Sequence, residues 1–207
     1  VSKNLLQTDC NTTVRSFRPG YLLVHPKQMK IMDTLNYEFS SSYTAPDVLT
    51  NFPYFIHEDK SFQSRLTTML EIPIATSDVV RDFVLDSLNY PLLVTKWKNV
   101  YEKNHANNAP TVLLIHPTRT YKLAAQRSFV NQLPTGAIIK SLEDYGDFWK
   151  ARNNFNFLSE LAGNNLKIKL LNLNPPIDSS LSFIVNNGQN LTSIQVVDPN
   201  NATIAYT

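Results

Sequence analysis

A histidine stands at the end of the most apolar strand-like run in the chain. Residues 112–115 (VLLI) lead directly into His116 and Pro117. In parallel sheets the residues that perform chemistry lie at the carboxyl ends of strands, and a histidine there can transfer protons near neutral pH. The alternative is a polar side chain that caps the strand, which is the commoner role of a lone histidine. The residues alone leave both interpretations of His116 open.

Two other polar features follow strand-like runs. Arg18 comes directly after residues 14–17 (VRSF), where an arginine is either an ion-pair partner or part of a site. Ser77 and Asp78 follow residues 69–74 (MLEIPI) by a few positions. Because Ser and Asp are favoured as helix N-caps, this pair predicts that Asp78 caps a helix that begins near Val79.

The elements that position these residues alternate along the chain between residues 13 and 153. Apolar runs predict strands at 14–17, 37–40, 69–74, 112–115 and 137–139. Apolar spacing, prolines and caps predict helices over 26–35, from about 92 to before 107, over 121–133 and after Ser141. Strands that alternate with helices of this length predict βα units with a largely parallel sheet.

The pattern changes after about residue 154. Residues 166–173 (LKIKLLNL) alternate with period two, and further strand-like runs follow at 181–185, 191–197 and 202–207, with turn residues between them. This spacing predicts a small all-β unit. The sequence therefore predicts an α/β part over residues 1–153 and a β-rich, sandwich-like part over residues 154–207.

The overall composition excludes several classes of protein. The 207 residues carry a formal net charge of +2, and the basic residues are scattered, which argues against a nucleic-acid-binding surface. No apolar run approaches the roughly 18 residues of a membrane span. Cys10 is the only cysteine, so the chain can form neither an internal disulfide nor a thiolate metal cluster, and we expect Cys10 to be an inert thiol.

Five segments together carry a family resemblance. They are FRPGY at 17–21, LNYEFSSS at 35–42, MLEIPI at 69–74, VLLIHP at 112–117 and DFWKARN at 147–153. In this order and spacing they resemble the polysaccharide deacetylases of the NodB-homology type over residues 1–153. FRPGY is similar to the family's Arg-x-Pro-Tyr motif, with Arg18 and Tyr21 in the matching places and Gly20 where a second proline is common. VLLIHP is similar to its last motif, which ends in a catalytic histidine.

The resemblance implies a fold and a reaction. The fold would be the C-terminal portion of a distorted (β/α)7–8 barrel, and the reaction would be metal-dependent removal of acetyl groups from a carbohydrate. His116 would protonate the leaving amine or alcohol, Arg18 would orient a catalytic aspartate, and a backbone N–H near Tyr21 would help to bind the oxyanion. The family's divalent metal, expected to be zinc, and an extracellular, periplasmic or cell-surface location are implied in the same way.

The chain departs from the family pattern in its metal motifs. The family's Asp-Asp pair does not occur, and no two of His25, His57, His105 and His116 have the His-x-x-x-His spacing. The cluster at residues 57–59 (HED) is predicted to be a solvated turn. We therefore expect the metal ligands outside this chain, in an N-terminal half of the barrel that belongs to the same longer protein or to a separate chain. The four or five predicted strands of the α/β part agree with this expectation.

Two alternatives to a deacetylase remain open. One is a catalytically inactive, deacetylase-like carbohydrate-binding or cell-surface module, which could stack exposed aromatic side chains on sugar rings. Trp97 and Trp149 lie on apolar helix faces, so we expect them to belong to the core instead. The other alternative is an unrelated α/β domain that serves as an interaction scaffold.

Overall fold

The computed structural model describes residues 2–43, 52–59, 61–163 and 165–171. The chain divides into two compact units, Val1–Gly146 and Asp147–Thr207. This division lies within the last described helix, whereas the predicted boundary lies at its end. The predicted strands beyond residue 171 lie outside the described residues.

The first unit is a mixed α/β structure. Its helices are α1 (Ser2–Cys10), α2 (Pro26–Thr34), α3 (Tyr90–Ala106), α4 (Thr120–Asn131) and the beginning of α5 (Leu142–Asn153). Its strands are β1 (Ser16–Phe17), β2 (Phe39–Ser40), β3 (Tyr54–His57), β4 (Leu66–Glu71), β5 (Thr76–Ser77) and β6 (Leu113–Leu114). None of the helices described in the structure is both long and apolar enough to cross a membrane.

The parallel strands follow one another in chain order. β1 pairs with β2 and β2 with β4, all parallel, and β5 pairs in parallel with β6. Residues 66–77 form one extended segment, in which the amide of Ile72 donates to Ser40 O and the amide of Ala75 donates to Val112 O, both at 2.8–2.9 Å. The antiparallel strand β3 pairs with β4, and β6 pairs with β5 further along the segment. β1, β2 and β4 therefore end side by side at Phe17, Ser40 and Glu71, whereas β5 and β6 end side by side six residues further along the segment, at Ser77 and Leu114.

Local sequence signals explain where α2 begins. α2 begins with Pro26, and His25 and Gln28 form a reciprocal capping box.

α3 packs on α4 through a cluster of buried apolar side chains, which comprises Leu93, Val94, Trp97, Ala125 and Phe129. The ring of Trp97 meets that of Phe129 edge-on, with centroids 5.8 Å apart. Trp97 is completely buried and Trp149 nearly so, in agreement with the predicted core role of both.

A second apolar cluster packs α2 against β3 and β4. It comprises Met29, Tyr37, Ile56 and Met69, with α2 lying against β4. At the end of this unit Gly146 lies against the buried ring of Phe39 so closely that a Cβ at position 146 would overlap it. The guanidinium of Arg15 covers the same ring, 4.9 Å from its centroid.

The second unit, as far as it is described, contains a β-hairpin. β7 (Phe157–Ala162) pairs antiparallel with β8 (Asn165–Leu170) in an unbroken register from Phe157↔Leu170 to Ala162↔Asn165. Gly163 has a φ of 61°, which suits a tight hairpin turn. β8 covers most of the predicted period-two strand, whereas the sequence did not predict β7.

The structure confirms the mixed α/β class and the parallel pairing, and it corrects two elements. No helix begins near Val79, because the described residues 79–89 form turns and irregular backbone. Residues 137–139 pair with no strand among those described, although the amide of Ala137 closes the predicted turn on Pro134 O at 2.9 Å. The described strands form three separate sheets and no closed one.

Candidate active site

Strand pairing brings Asp78 beside His116. Ser77 in β5 is the partner of Leu114 in β6, and the amide of Asp78 donates to Leu114 O at 3.0 Å. β6 ends at Leu114, and His116 stands before Pro117, which has no amide hydrogen with which to continue a strand. The two side chains therefore leave neighbouring strands at the same carboxyl edge.

Asp78 holds His116 at two points. Its Oδ2 accepts from the backbone N–H of His116 at 2.8 Å, and its Oδ1 lies 2.6 Å from the ring Nδ1. Oδ2 also lies 2.8 Å from Lys122 Nζ, in the first turn of α4. The Asp78 side chain is 0% exposed and that of His116 is 50% exposed, so a buried carboxylate supports a half-exposed imidazole.

The contacts of Asp78 keep its carboxylate charged. Burial by itself raises the pKa of Asp78, but the hydrogen bonds and positive charge of Lys122, together with the hydrogen bonds from His116, outweigh it. The net result is a pKa of Asp78 below its ordinary value. A charged Asp78 accepts a hydrogen bond from the Nδ1–H of His116, which leaves Nε2 as the ring nitrogen that can meet a substrate.

The core fixes the strand end that carries Asp78. The buried Trp97 donates from Nε1 to Ser77 O at 2.9 Å, one residue before Asp78. The Ser77 hydroxyl accepts the amide of Val79 at 3.2 Å and turns the chain directly after the carboxylate. A core tryptophan in α3 thus helps to hold the backbone that carries Asp78.

An open groove of about 620 Å³ lies next to this pair. It is bordered by Asp78, by Tyr121 and Lys122 of α4, and by residues 79–85 after β5. These residues include valines, a leucine and Phe83 as well as Arg81 and Asp82, so the groove presents both apolar and charged groups.

Arg18 lies directly after β1, beside the end of β2. Its Nε donates to Ser41 O at 2.7 Å, and its Nη2 donates to Ser41 Oγ at 2.8 Å. Burial lowers the pKa of Arg18, and the charge of Glu71 opposes this effect. Arg18 therefore joins β1 to the end of β2 and is not bonded to the Asp78–His116 pair.

Glu71 holds the end of β2 from the other side. Its Oε1 accepts from the amides of Ser42 and Tyr43, at 2.7 and 2.8 Å. The residue is 0% exposed, and its Oε2 is buried without a hydrogen-bond partner among the described residues. Burial raises the pKa of Glu71, while its hydrogen bonds and Arg18 act in the opposite direction. Arg18 and Glu71 together clamp residues 41–43.

Tyr21 lies in a 3₁₀ turn, Gly20–Leu22, that follows Arg18 and Pro19. Tyr21 and Leu22 both have a φ of 55°, in the left-handed region that side chains rarely adopt. The Tyr21 side chain is 97% exposed. The amides of Leu22 and Leu23 donate to Pro19 O and Gly20 O, so the motif forms a compact turn with its aromatic ring in solvent.

Neither a family model nor a curated protein matches this sequence. Among solved structures, one match is the crystal structure of a "putative polysaccharide deacetylase" from Mycobacterium smegmatis. The two chains share a fold. Their TM-score is 0.57 at 14% identity over 73% of this chain. This chain spans about half the length of that structure (54%).

The side chains present do not fit the divalent metal that the resemblance implies. Among the residues described in the structure, no group of three or more His, Cys, Asp or Glu side chains could hold a metal ion. Asp78 directs both oxygens to His116 and Lys122, and His116 directs Nδ1 to Asp78. We derive no catalytic step that passes through a metal.

The predicted site residues fall into separate groups. His116 is paired with Asp78, Arg18 with Ser41, and Tyr21 lies in an exposed turn. The predicted N-cap role of Asp78 is wrong, because its carboxylate binds groups from β6 and α4 instead of amides of a following helix. The sequence did suggest a polar pair after a strand, but nothing local to Asp78 indicates which strand pairs with it.

Two further residues were missed, and the cluster at residues 57–59 agrees with its prediction only in part. The first is Lys122, six positions after His116, in the first turn of α4 and bonded to Asp78. The second is Glu71, which lies inside the apolar run MLEIPI. Residues 58 and 59 form the predicted turn, in which Glu58 bonds Arg65 and Asp59 accepts the amide of Ser61. His57 is the last residue of β3, and its Nδ1 lies 2.9 Å from Ser64 O.

Proposed function

We propose that this chain is the proton-transferring part of a deacetylase that acts on a carbohydrate or polysaccharide. The observation that carries the proposal is the Asp78–His116 pair at the carboxyl edge of parallel strands, with a buried carboxylate behind a half-exposed imidazole. The shared fold with the M. smegmatis protein and the family resemblance of the motifs support it. The barrel that the resemblance implies is part of this proposal.

The proposed role of His116 follows from its hydrogen bonds. Cleavage of an N-acetyl or O-acetyl group expels an amine or an alcohol, which needs a proton as its bond to the acyl carbon breaks. His116, protonated on both ring nitrogens, gives the Nε2 proton to this leaving group. Asp78 keeps the ring oriented and stabilises the imidazolium that gives up the proton.

The other predicted residues take supporting roles in the proposal. Arg18 and Glu71 fix the residues after β2, and Glu71 belongs to the same extended segment as Asp78. Arg18 would orient a catalytic carboxylate through its remaining donors, and the backbone near Tyr21 would supply an oxyanion donor.

The proposal assigns the metal to residues outside this chain. Residues there would hold the implied ion, expected to be zinc, and the chemistry that it would supply is activation of the attacking water. An N-terminal half of the barrel, in the same longer protein or on a separate chain, would carry these residues. We propose a cell-surface, periplasmic or extracellular setting, where polysaccharides are accessible.

The test is acetate release by the natural protein that contains this chain. The substrates are acetylated glucosamine oligomers and O-acetylated xylan, assayed with and without a chelator. His116→Ala is expected to lower kcat at least 100-fold, because the leaving group then lacks its acid. The control is His105→Ala, since His105 is exposed on α3 and its ring stacks on Tyr101. Full activity of His116→Ala would remove His116 from the mechanism.

The same assay separates this proposal from the inactive module. A natural protein that binds these oligosaccharides in calorimetry but releases no acetate at any metal concentration would be a carbohydrate-binding or cell-surface protein. If the protein neither binds nor cleaves these oligosaccharides, the remaining alternative is an α/β domain that serves as an interaction scaffold.

A further inference from the structure

Lys122 shares the carboxylate that supports His116. Its Nζ lies 2.8 Å from Asp78 Oδ2, the oxygen that also accepts the backbone N–H of His116. The Lys122 side chain is only 16% exposed, so solvent screens its charge weakly. Asp78, His116 and Lys122 therefore form one cluster of three ionisable groups.

The charges of these three groups decide how strongly His116 holds a proton. Asp78 and Lys122 together are neutral, and protonation of His116 then leaves the cluster with one positive charge. Without Lys122, protonation of His116 would instead neutralise a buried carboxylate, which is a much more favourable change. The lysine thus opposes the effect that an aspartate alone has on a neighbouring histidine.

We propose that Lys122 is a positioning residue that offsets the charge of Asp78, so that the carboxylate orients His116 without holding it permanently protonated. This inference rests on the proposed function, because it concerns the residue that the proposal makes the general acid. It explains why a carboxylate with a histidine partner also binds a lysine from α4. His116 can then both lose and regain its proton in each reaction cycle.

The other charged groups on the neighbouring segments lie in solvent. Arg119, at the start of α4, is exposed, and so are Arg81 and Asp82 in the loop after β5. Asp82 approaches Lys96 at 4.0 Å, and Tyr121 is partly buried beside the groove. Solvent screens these exposed charges, whereas Lys122 acts through direct contact with Asp78.

The experiment is an NMR titration of the His116 ring in the full chain, which requires no activity. Lys122→Gln keeps a hydrogen-bond donor near Asp78 and removes the charge, and Lys122→Met removes both. In each variant we expect His116 to bind its proton about tenfold more tightly than in the wild type, the size of effect that one nearby, partly screened charge produces. Lys122→Arg should restore the wild-type titration.

Controls separate a charge effect from a packing effect. Lys103→Met removes an exposed lysine from α3 and should leave the titration of His116 unchanged. If folded Lys122→Gln or Lys122→Met shows a His116 proton affinity within twofold of the wild type, the proposal is wrong. If a Lys122 variant lost acetate release but kept the wild-type titration of His116, the role proposed here for Lys122 would be wrong and the proposed function would stand. A changed titration in a protein without deacetylase activity would leave the role of Lys122 intact.

Discussion

Arg18 binds Ser41 through two contacts, from Nε to the carbonyl oxygen at 2.7 Å and from Nη2 to the hydroxyl at 2.8 Å. The contacts join the ends of two parallel strands whose sequence separation exceeds twenty residues. A guanidinium presents two donors side by side, which the single ammonium of lysine cannot do. The identity of residue 18 therefore fixes the geometry of this strand edge, apart from any role toward a substrate.

Arg18→Lys should destabilise the fold. The variant keeps the positive charge beside Glu71 but loses one of the two bonds to Ser41, with an expected cost of about 1–2 kcal/mol in the free energy of unfolding. Urea denaturation measures it, with Arg127→Lys on the exposed side of α4 as the matched control. Equal midpoints for Arg18→Lys and the wild type would contradict a role in joining the strands.

Glu71→Gln should change how stability depends on pH. Because burial raises the pKa of Glu71 above its ordinary value of 4.5, the folded chain binds this proton more tightly than the unfolded chain does. The resulting stabilisation is complete below about pH 4.5 and is lost as the pH rises through the folded-state value. Glutamine can accept the same two amide bonds and carries no charge, so its stability relative to the wild type should rise with pH.

The measurement is urea denaturation of Glu71→Gln and the wild type at pH 4.5 and pH 8. We expect the difference in free energy of unfolding to move by about 1 kcal/mol in favour of the variant at the higher pH. Glu102→Gln, on the exposed side of α3, is the control and should show no such change. A difference that stays constant between the two pH values would mean that Glu71 is not held in its protonated form.

Asp78→Asn should show the opposite pH dependence. The pKa of Asp78 is lowered, so its charged form contributes stability above the ordinary value of 3.8, and this is lost as the pH falls through the lower folded-state value. At pH 7 the variant leaves the poorly exposed Lys122 without its counter-charge, with an expected cost of about 2–4 kcal/mol.

The comparison of Asp78→Asn with the wild type is made by urea denaturation at pH 7 and pH 3. The difference between the two proteins should shrink at pH 3, where the wild-type carboxylate begins to be protonated. Asp9→Asn changes an exposed carboxylate of α1 and should have little effect at either pH. If Asp78→Asn matched the wild type at pH 7, the carboxylate would not be a structural part of the pair with His116.

Gly146→Ala should destabilise the fold although alanine favours helices. A Cβ at position 146 overlaps the ring of Phe39, and that ring cannot easily move because it is buried and Arg15 covers it. We expect overpacking to exceed the helix-propensity gain and to cost about 1–3 kcal/mol net. Thermal denaturation compares it with Gly136→Ala, where a Cβ meets no atom within 4 Å. Equal melting temperatures for the two variants would exclude this overlap.

The sequence predicted the elements whose signals are local. The proline and capping residues at the start of α2 and the Ser141 cap before α5, whose hydroxyl accepts the amide of Asp144 at 3.1 Å, are such signals. The strand β6 was likewise predicted from an apolar run, residues 112–115, that stops before His116 and Pro117. In each case the residues that define the element lie within a few positions of it.

The errors concern contacts between distant segments. Asp78 precedes two valines and so has the appearance of an N-cap, but its carboxylate is used by His116 and Lys122, which lie about forty residues away. The strand β3 was missed because its partner β4 supplies the pairing, and its own residues end in a polar turn. A single sequence carries no signal for the register between such strands.

The extended segment from Leu66 to Asp78 has a consequence for native-state hydrogen exchange. It carries both Glu71 and Asp78, and it pairs with β2 and β3 in its first part and with β6 in its last part. Because one segment belongs to both sheets, we expect the two clusters of strand-end residues to open together. The amides of Ile72, Ala75 and Asp78 should therefore exchange with deuterium at similar rates, as one cooperative unit.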